Sequence, residues 1–182
     1  MRYRDATARD IEAVATLHAD SWRRHYRGAF ADSFLDGDVF ADRRAVWGDR
    51  LTEPGPDRST VVAEDDGVVV GFVHTVFDED PTWGALLDNL HVTHGLKGRG
   101  VGRRLMGRSA VAVVARTPST GLYLWVLEQN TAAQGFYGAL GGTAVERGFS
   151  QPPGGGRPAR LRYAWPDPSV LVVEEAGRLG LG

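Results

Sequence analysis

Stretches with apolar residues at helical spacing alternate along the chain with runs of β-branched residues, and the switches between them mark the elements. Residues 2–4 read as a short strand. Thr7 and Asp10 form a capping arrangement ahead of a helix on which Ile11, Val14, Ala15, Leu17, His18 and Trp22 fall near one face. Gly28 interrupts that pattern, and residues 32–35 and 39–51 continue as helix. After the break Glu53-Pro54-Gly55-Pro56-Asp57, residues 60–64 and 68–77 read as strands joined by a tight turn at Asp65-Asp66-Gly67. Further on come a strand over 85–93, a long helix over 101–116, a buried strand over 122–127 and a short helix over 131–140 closed by Gly141-Gly142. Residues 143–147 and 161–165 read as closing strands, and the tract Pro152-Pro153-Gly154-Gly155-Gly156 between them must be irregular. Strand, long helix and strand over 85–126 predict a parallel crossover. The whole order predicts an α/β fold, a mixed sheet flanked by helices. Residues 1–165 form one domain, and 166–182 are either a tail or, over 170–174, an extra edge strand.

Composition narrows the class. At 182 residues, 42% apolar and 24% charged, with a net charge of −2, the chain is an ordinary globular domain. It has no cysteine, which excludes a disulfide scaffold, a thiolate nucleophile and cysteine-ligated metal. The slight negative charge opposes general nucleic-acid binding. No apolar run reaches the roughly 18 residues that span a bilayer, so no membrane segment is expected. The opening residues lack the apolar stretch of a secretory signal, so a cytoplasmic location is the default expectation. The histidines at 18, 25, 74, 91 and 94 show no metal-ligand spacing with carboxylates, and no metal is expected.

The chemistry is concentrated at the strand-to-helix junction 87–105. Glycines at 98, 100 and 102 remove side chains that would block a ligand, and the following helix presents its unpaired N–H groups and positive dipole end there. Lys97 (the only lysine), Arg99, Arg103 and Arg104 add positive charge. The arrangement suits a pyrophosphate. It is not a P-loop, since Lys97 is followed by Gly98, and it is not a dinucleotide fingerprint: six-residue windows from Gly98 and Gly100 end on Arg103 and Leu105. A glycine-rich connection without a ligand is the alternative reading of this loop taken alone.

Lys97-Gly98-Arg99-Gly100-Val101-Gly102 resembles the [QR]-x-x-G-x-G coenzyme A loop of the GNAT acetyltransferases, and Leu90-His91-Val92 looks like their fourth-strand signature. Downstream, Leu124-Trp125-Val126-Leu127-Glu128-Gln129-Asn130-Thr131-Ala132-Ala133-Gln134-Gly135-Phe136-Tyr137 is similar to their second motif. Ser21-Trp22-Arg23-Arg24-His25-Tyr26-Arg27-Gly28 and Phe34-Leu35-Asp36-Gly37 resemble one bacterial branch of the family. Two departures stand out. Lys97 replaces the usual Gln or Arg, and Gly142 replaces a common Phe, which predicts weaker packing behind the last helix.

The resemblance implies a mostly antiparallel sheet with a splayed pair of parallel middle strands. It also implies transfer of an acetyl group from acetyl-coenzyme A to an amine. The cofactor-binding set so implied is Leu90, His91, Val92, Lys97, Gly98, Arg99, Gly100, Val101, Gly102, Arg103, Asn130, Ala133, Phe136 and Tyr137. Tyr137 is at the position of the acid that protonates the leaving thiolate; packing as a core aromatic is the other reading, as helix capping is for Asn130. The base is left open among His91, Asp88 and a water chain to Asp88 or Glu128; Asp88 and His91 should point to opposite faces of their strand unless a bulge intervenes. Trp22, Tyr26, Phe34 and Trp125 are expected to wall the acceptor pocket. Relatives that acetylate protein N-termini carry Glu where Trp125 stands. A small-molecule amine is therefore the first expectation for the acceptor, with protein acetylation or non-catalytic acyl-coenzyme A sensing as alternatives. A homodimer built on the tail and last strands is compatible with the sequence.

Overall fold

The structure is a computed structural model that describes residues 1–117, 120–152 and 154–172. Seven strands, β1 (Arg2–Asp5), β2 (Arg58–Asp65), β3 (Val68–Asp80), β4 (Gly84–Val92), β5 (Leu122–Leu127), β6 (Thr143–Phe149) and β7 (Ala159–Trp165), form one sheet in the order β1-β2-β3-β4-β5-β7-β6. All neighbours are antiparallel except β4 and β5. The β2–β3 turn carries positive φ at both Asp66 (48°) and Gly67 (82°), the geometry whose twist matches a tight hairpin.

Helices α1 (Ile11–His25), α2 (Asp32–Asp36) and α3 (Val39–Thr52) precede the central strands; α4 (Val101–Arg116) links β4 to β5, and α5 (Thr131–Ala139) follows β5. Alternation along β3 divides the core. Phe72 packs with Val14, Ala15, Trp47 and Leu51 of α1 and α3. The next residue, Val73, packs with Leu105, Met106 and Val113 of α4 and with Leu122, Leu124 and Val126 of β5. Successive strand side chains point to opposite faces, so helices cover the sheet on both sides. The buried stripe of α1 (Val14, Ala15, His18, Ala19, Trp22) repeats at helical spacing, which is why it seats lengthwise.

Two expectations change. Residues 168–171 form a 310 turn rather than the start of an edge strand, and Leu171 leans on α4, its carbonyl oxygen 3.4 Å from where a Cβ on Gly107 would lie. The remainder of the expected strand, 173–174, lies outside the described residues. Gly142 does not leave a gap. The Trp165 indole fills the space, so that a Cβ at 142 would sit 2.5 Å from its Cζ2, and Trp165 Nε1 donates to the Leu140 carbonyl at 2.9 Å. A tryptophan from β7 supplies the aromatic bulk that the sequence lacks locally.

Candidate active site

β4 and β5 are paired only at Ala85–Leu122 and Leu86–Tyr123, although the strands continue to Val92 and Leu127. Beyond Leu86 the β5-facing edge of β4 therefore has no strand partner, and its backbone polar groups are open to a ligand. A cavity of about 560 Å³ occupies the splay, with α4, α5 and the end of α1 around it.

At one end the loop 97–100 turns into α4. Gly98 (φ 80°) and Gly100 (φ 78°) are both in the left-handed region, where a side chain would be strained. Gly100 caps α4 with no side-chain acceptor, so the first-turn N–H groups of Val101 and Gly102 lack an intrahelical partner. A Cβ on Gly102 would lie 3.4 Å from the Phe136 ring, so this glycine lets α4 and α5 approach closely. Lys97, Gly98, Gly100, Val101, Gly102 and Arg103 all line the cavity; Arg99 does not. Lys97 Nζ donates to His25 Nε2 at 3.0 Å, tying the loop to the end of α1. Burial, then Lys97, lowers the pKa of His25.

The opposite wall comes from α5. Asn130 caps it, its Oδ1 accepting from the Ala133 N–H at 3.2 Å, and its side chain still lines the cavity. The capping reading is thus met, and the residue also stands at the cavity wall. Ala133, Phe136 and Tyr137 also line it. The Tyr137 ring packs edge-on to Phe136 and Trp165, with centroids at 5.3 and 6.2 Å. Its hydroxyl has no protein hydrogen-bond partner among the described residues. Burial, and secondarily Tyr26, raise the Tyr137 pKa well above that of a free phenol.

The third wall is β4. The β3–β4 register slips between His74 and Thr75, which pair with Asn89 and Leu87, so Asp88 is bulged out of the ladder. This is the bulge on which a shared face for Asp88 and His91 depended, and both side chains meet groups from the α1–α3 layer. Asp88 Oδ2 accepts from Arg50 Nη1 at 2.8 Å, and Asn89 Oδ1 accepts from the same nitrogen at 3.1 Å. Asp88 is the only carboxylate lining the cavity among the described residues. His91 Nδ1 shares a 2.8 Å hydrogen bond with Ser21 Oγ, and its ring lies 4.5 Å from that of His18. Burial, then the charges of His25 and Arg43, push the His91 pKa down to about 3, so its imidazole is neutral near pH 7. Leu90 and Val92 line the cavity with it.

The four expected acceptor-wall aromatics separate. Tyr26 and Trp125 line the cavity. Trp22 and Phe34 do not; they belong to an apolar cluster with Ala19, Phe30, Leu35 and Val39, where Trp22 stacks on Tyr26 at 5.5 Å. Burial, then Asp88, push the Tyr26 pKa up to about 12. Glu128 points elsewhere, held by Arg147 through two 2.9 Å hydrogen bonds. Sequence reasoning missed Ser21 and His25 as cavity residues. Ser21 and His25 lie one helical turn apart beside the buried stripe of α1, but nothing in their spacing shows that β4 passes there.

Among the described residues no group of three or more His, Cys, Asp or Glu is placed to hold a metal ion, and no helix is long and apolar enough to cross a membrane. The pattern of the Acetyltransferase (GNAT) family matches residues 14–141. The uncharacterised N-acetyltransferase YuaI of Bacillus subtilis (strain 168) is 27% identical over 172 residues, covering 92% of this chain and 94% of YuaI. Among solved structures, a GCN5-related N-acetyltransferase from Rhodopseudomonas palustris superposes with a TM-score of 0.70 at 21% identity, covering 90% of this chain and 93% of that one. The acetyltransferase yncA of Salmonella typhimurium, solved with acetyl-CoA, superposes at 0.65 and 19% identity, covering 91% and 92%.

Proposed function

The chain belongs to the GNAT family of acetyltransferases, and on that premise we propose that it moves an acetyl group from acetyl-CoA to the primary amine of a small molecule, by direct attack while both are bound. One observation carries the reading. The donor-rich start of α4, the open edge of β4 and the unpartnered Tyr137 hydroxyl all face a single cavity. The neighbouring yncA structure holds acetyl-CoA, and the groups here suit that molecule. The N–H groups of Val101 and Gly102, opened to a ligand by the glycine loop before them, suit its pyrophosphate. The unpaired edge of β4 suits the amides of the pantetheine arm, laid down like an added strand.

The chemistry follows from where the charges develop. As the amine nitrogen attacks the thioester carbon, negative charge gathers on the carbonyl oxygen, and a backbone N–H between Leu90 and Val92 stabilises it without reorganising. The carbon–sulfur bond then breaks, and Tyr137 donates its proton to the departing sulfur. Its raised pKa keeps it protonated across the working range. The same apolar surroundings disfavour a free thiolate, so the proton is transferred as the carbon–sulfur bond breaks. The proton lost by the amine goes to Asp88, directly or through water. Its Oδ1 has no protein partner among the described residues, because Arg50 holds only Oδ2. Neutral His91 fits an orienting role better than that of the base.

The loop between β6 and β7 supports a small acceptor. Gly154 lies so close to Phe34 that a Cβ there would be 2.6 Å from the Phe34 Cβ, which draws this loop onto the α2 side of the molecule. Trp125 stands where N-terminal protein acetylases carry Glu. The test is an assay of free thiol release from acetyl-CoA with a panel of amines. Turnover with initial-rate lines that intersect supports transfer within a ternary complex. Parallel lines would overturn that mechanism, and calorimetry showing no binding of acetyl-CoA would overturn the reading as a whole.

A further inference from the structure

Arg50 of α3 reaches β4 at its irregular point. Its Nη1 donates to Asp88 Oδ2 at 2.8 Å and to Asn89 Oδ1 at 3.1 Å. Consecutive residues of a regular strand point to opposite faces, so one nitrogen serves both side chains only where the strand is out of register. The slip between His74 and Thr75, which leaves Asp88 unpaired, supplies that irregularity. The arginine is held in its turn. Its guanidinium carbon lies 5.1 Å from the centroid of the Trp47 ring, three residues back on the same helix face. Trp47 is fully buried, and its Nε1 donates to His18 Nδ1 at 3.0 Å. Arg50 thus connects the packed interior of the α1–α3 layer to Asp88 in the cavity wall, while standing outside the cavity itself.

We propose that Arg50 is a positioning residue of the transfer reaction: it holds the bulge of β4 and pins Asp88 by Oδ2, so that Oδ1 alone is presented to the acceptor amine. Arg50 touches neither the acceptor nor acetyl-CoA and acts through Asp88. Its two contacts do different jobs. The bond to Asn89 fixes the offset of the strand, and the bond to Asp88 fixes the plane of the carboxylate, which otherwise turns about a soft torsion. A planar guanidinium braced on an indole suits this task; an ammonium on a flexible stem would keep the charge and lose the fixed direction. The gain is one of orientation, since a proton acceptor displaced by about 1 Å loses much of its effect on rate.

The inference rests on Asp88 as the group that takes the amine proton, and the experiments separate the two. Hydrogen exchange of the ligand-free protein comes first. Peptides spanning residues 87–91 should exchange about tenfold or more faster in R50M than in the unsubstituted protein, with those of α4 and β7 unchanged. Equal exchange along β4 overturns the claim that Arg50 holds the bulge. Kinetics then use the amine with the highest turnover in the thiol-release panel. R50M should lower kcat/KM for that amine about tenfold or more, the worth of a hydrogen bond to a charged group, with KM for acetyl-CoA unchanged. R50K should recover part of the loss. In a D88N background R50M should cost less than twofold, because the group through which Arg50 acts is gone. A loss of equal size in both backgrounds, or none in R50M, overturns the positioning role. Full kcat/KM in D88N alone overturns the assignment of Asp88 instead. Melting curves establish that the variants are folded, and R50K carries the same cycle if R50M is not.

Discussion

A few side chains decide whether the cavity can do chemistry. Tyr137→Phe should lower kcat about a hundredfold with little change in KM for acetyl-CoA, because the lost hydroxyl acts on the leaving sulfur and not on binding; steady-state kinetics read the split. Asp88→Asn should lower kcat/KM for the acceptor, with the deficit narrowing above the acceptor amine's own pKa, where no proton has to be removed before attack. His91→Gln should leave the shape of the pH–kcat/KM curve between pH 5 and 9 unchanged, since a histidine held down to about 3 does not titrate there. Gly142→Ala is expected to cost about 1–3 kcal/mol of stability in denaturant unfolding, because the new methyl would meet the buried Trp165 ring at 2.5 Å.

At the scale of elements, the site exists because two regular features fail in the right places. β4 leaves β5 after two residue pairs, and β4 bulges at Asp88. The first opens an edge for an extended ligand, and the second turns a carboxylate toward the α1–α3 layer, where Arg50 holds it. The start of α4 is the complementary case, a regular element whose ordinary end effect is what the proposed coenzyme A site uses. Gly100→Ala places a side chain at φ 78°, at a cost of roughly 1–2 kcal/mol in that region. It should raise KM for acetyl-CoA several-fold and leave kcat at saturation nearly unchanged. The helix itself was legible. Its bounds, Val101–Arg116, follow from glycines before it, an apolar stripe within it and Pro118 after it. The bulge was legible only as a condition, because nothing in Leu87-Asp88-Asn89-Leu90 says which residue will slip out of register with β3.

For the molecule as a whole, the buried His18 of α1 and His74 of β3 and the half-buried His91 of β4 govern the response to acid. His18 donates nothing to Trp47 but accepts from its Nε1 at 3.0 Å, and His74 shares a 2.7 Å hydrogen bond with Thr60. Burial first, then neighbouring positive charge, lowers all three, His74 to about 4 and His91 to about 3. Above pH 6.5 they are neutral in both folded and unfolded chains and cost nothing. As pH falls from 6.5 toward the folded values, the unfolded chain takes up protons that the folded one refuses, and stability is lost. At pH 5 His74 and His91 should each contribute a loss of about 2 kcal/mol. Melting temperatures measured from pH 7.5 to 5 should fall, and His74→Gln should flatten the slope.

The order of elements, the glycine loop ahead of α4 and the Asn130-to-Tyr137 segment follow from the sequence by itself. Each depends on neighbours within a few turns of chain, where periodicity, capping and glycine geometry act. The tertiary structure alone decided that Trp22 and Phe34 pack away from the cavity while Tyr26 and Trp125 face it, that Trp165 fills the space beside Gly142, and that Asp88 bulges toward Arg50. These outcomes depend on which distant segments share a face or a register. That is fixed by packing and strand pairing across the whole sheet, and local spacing carries no record of it.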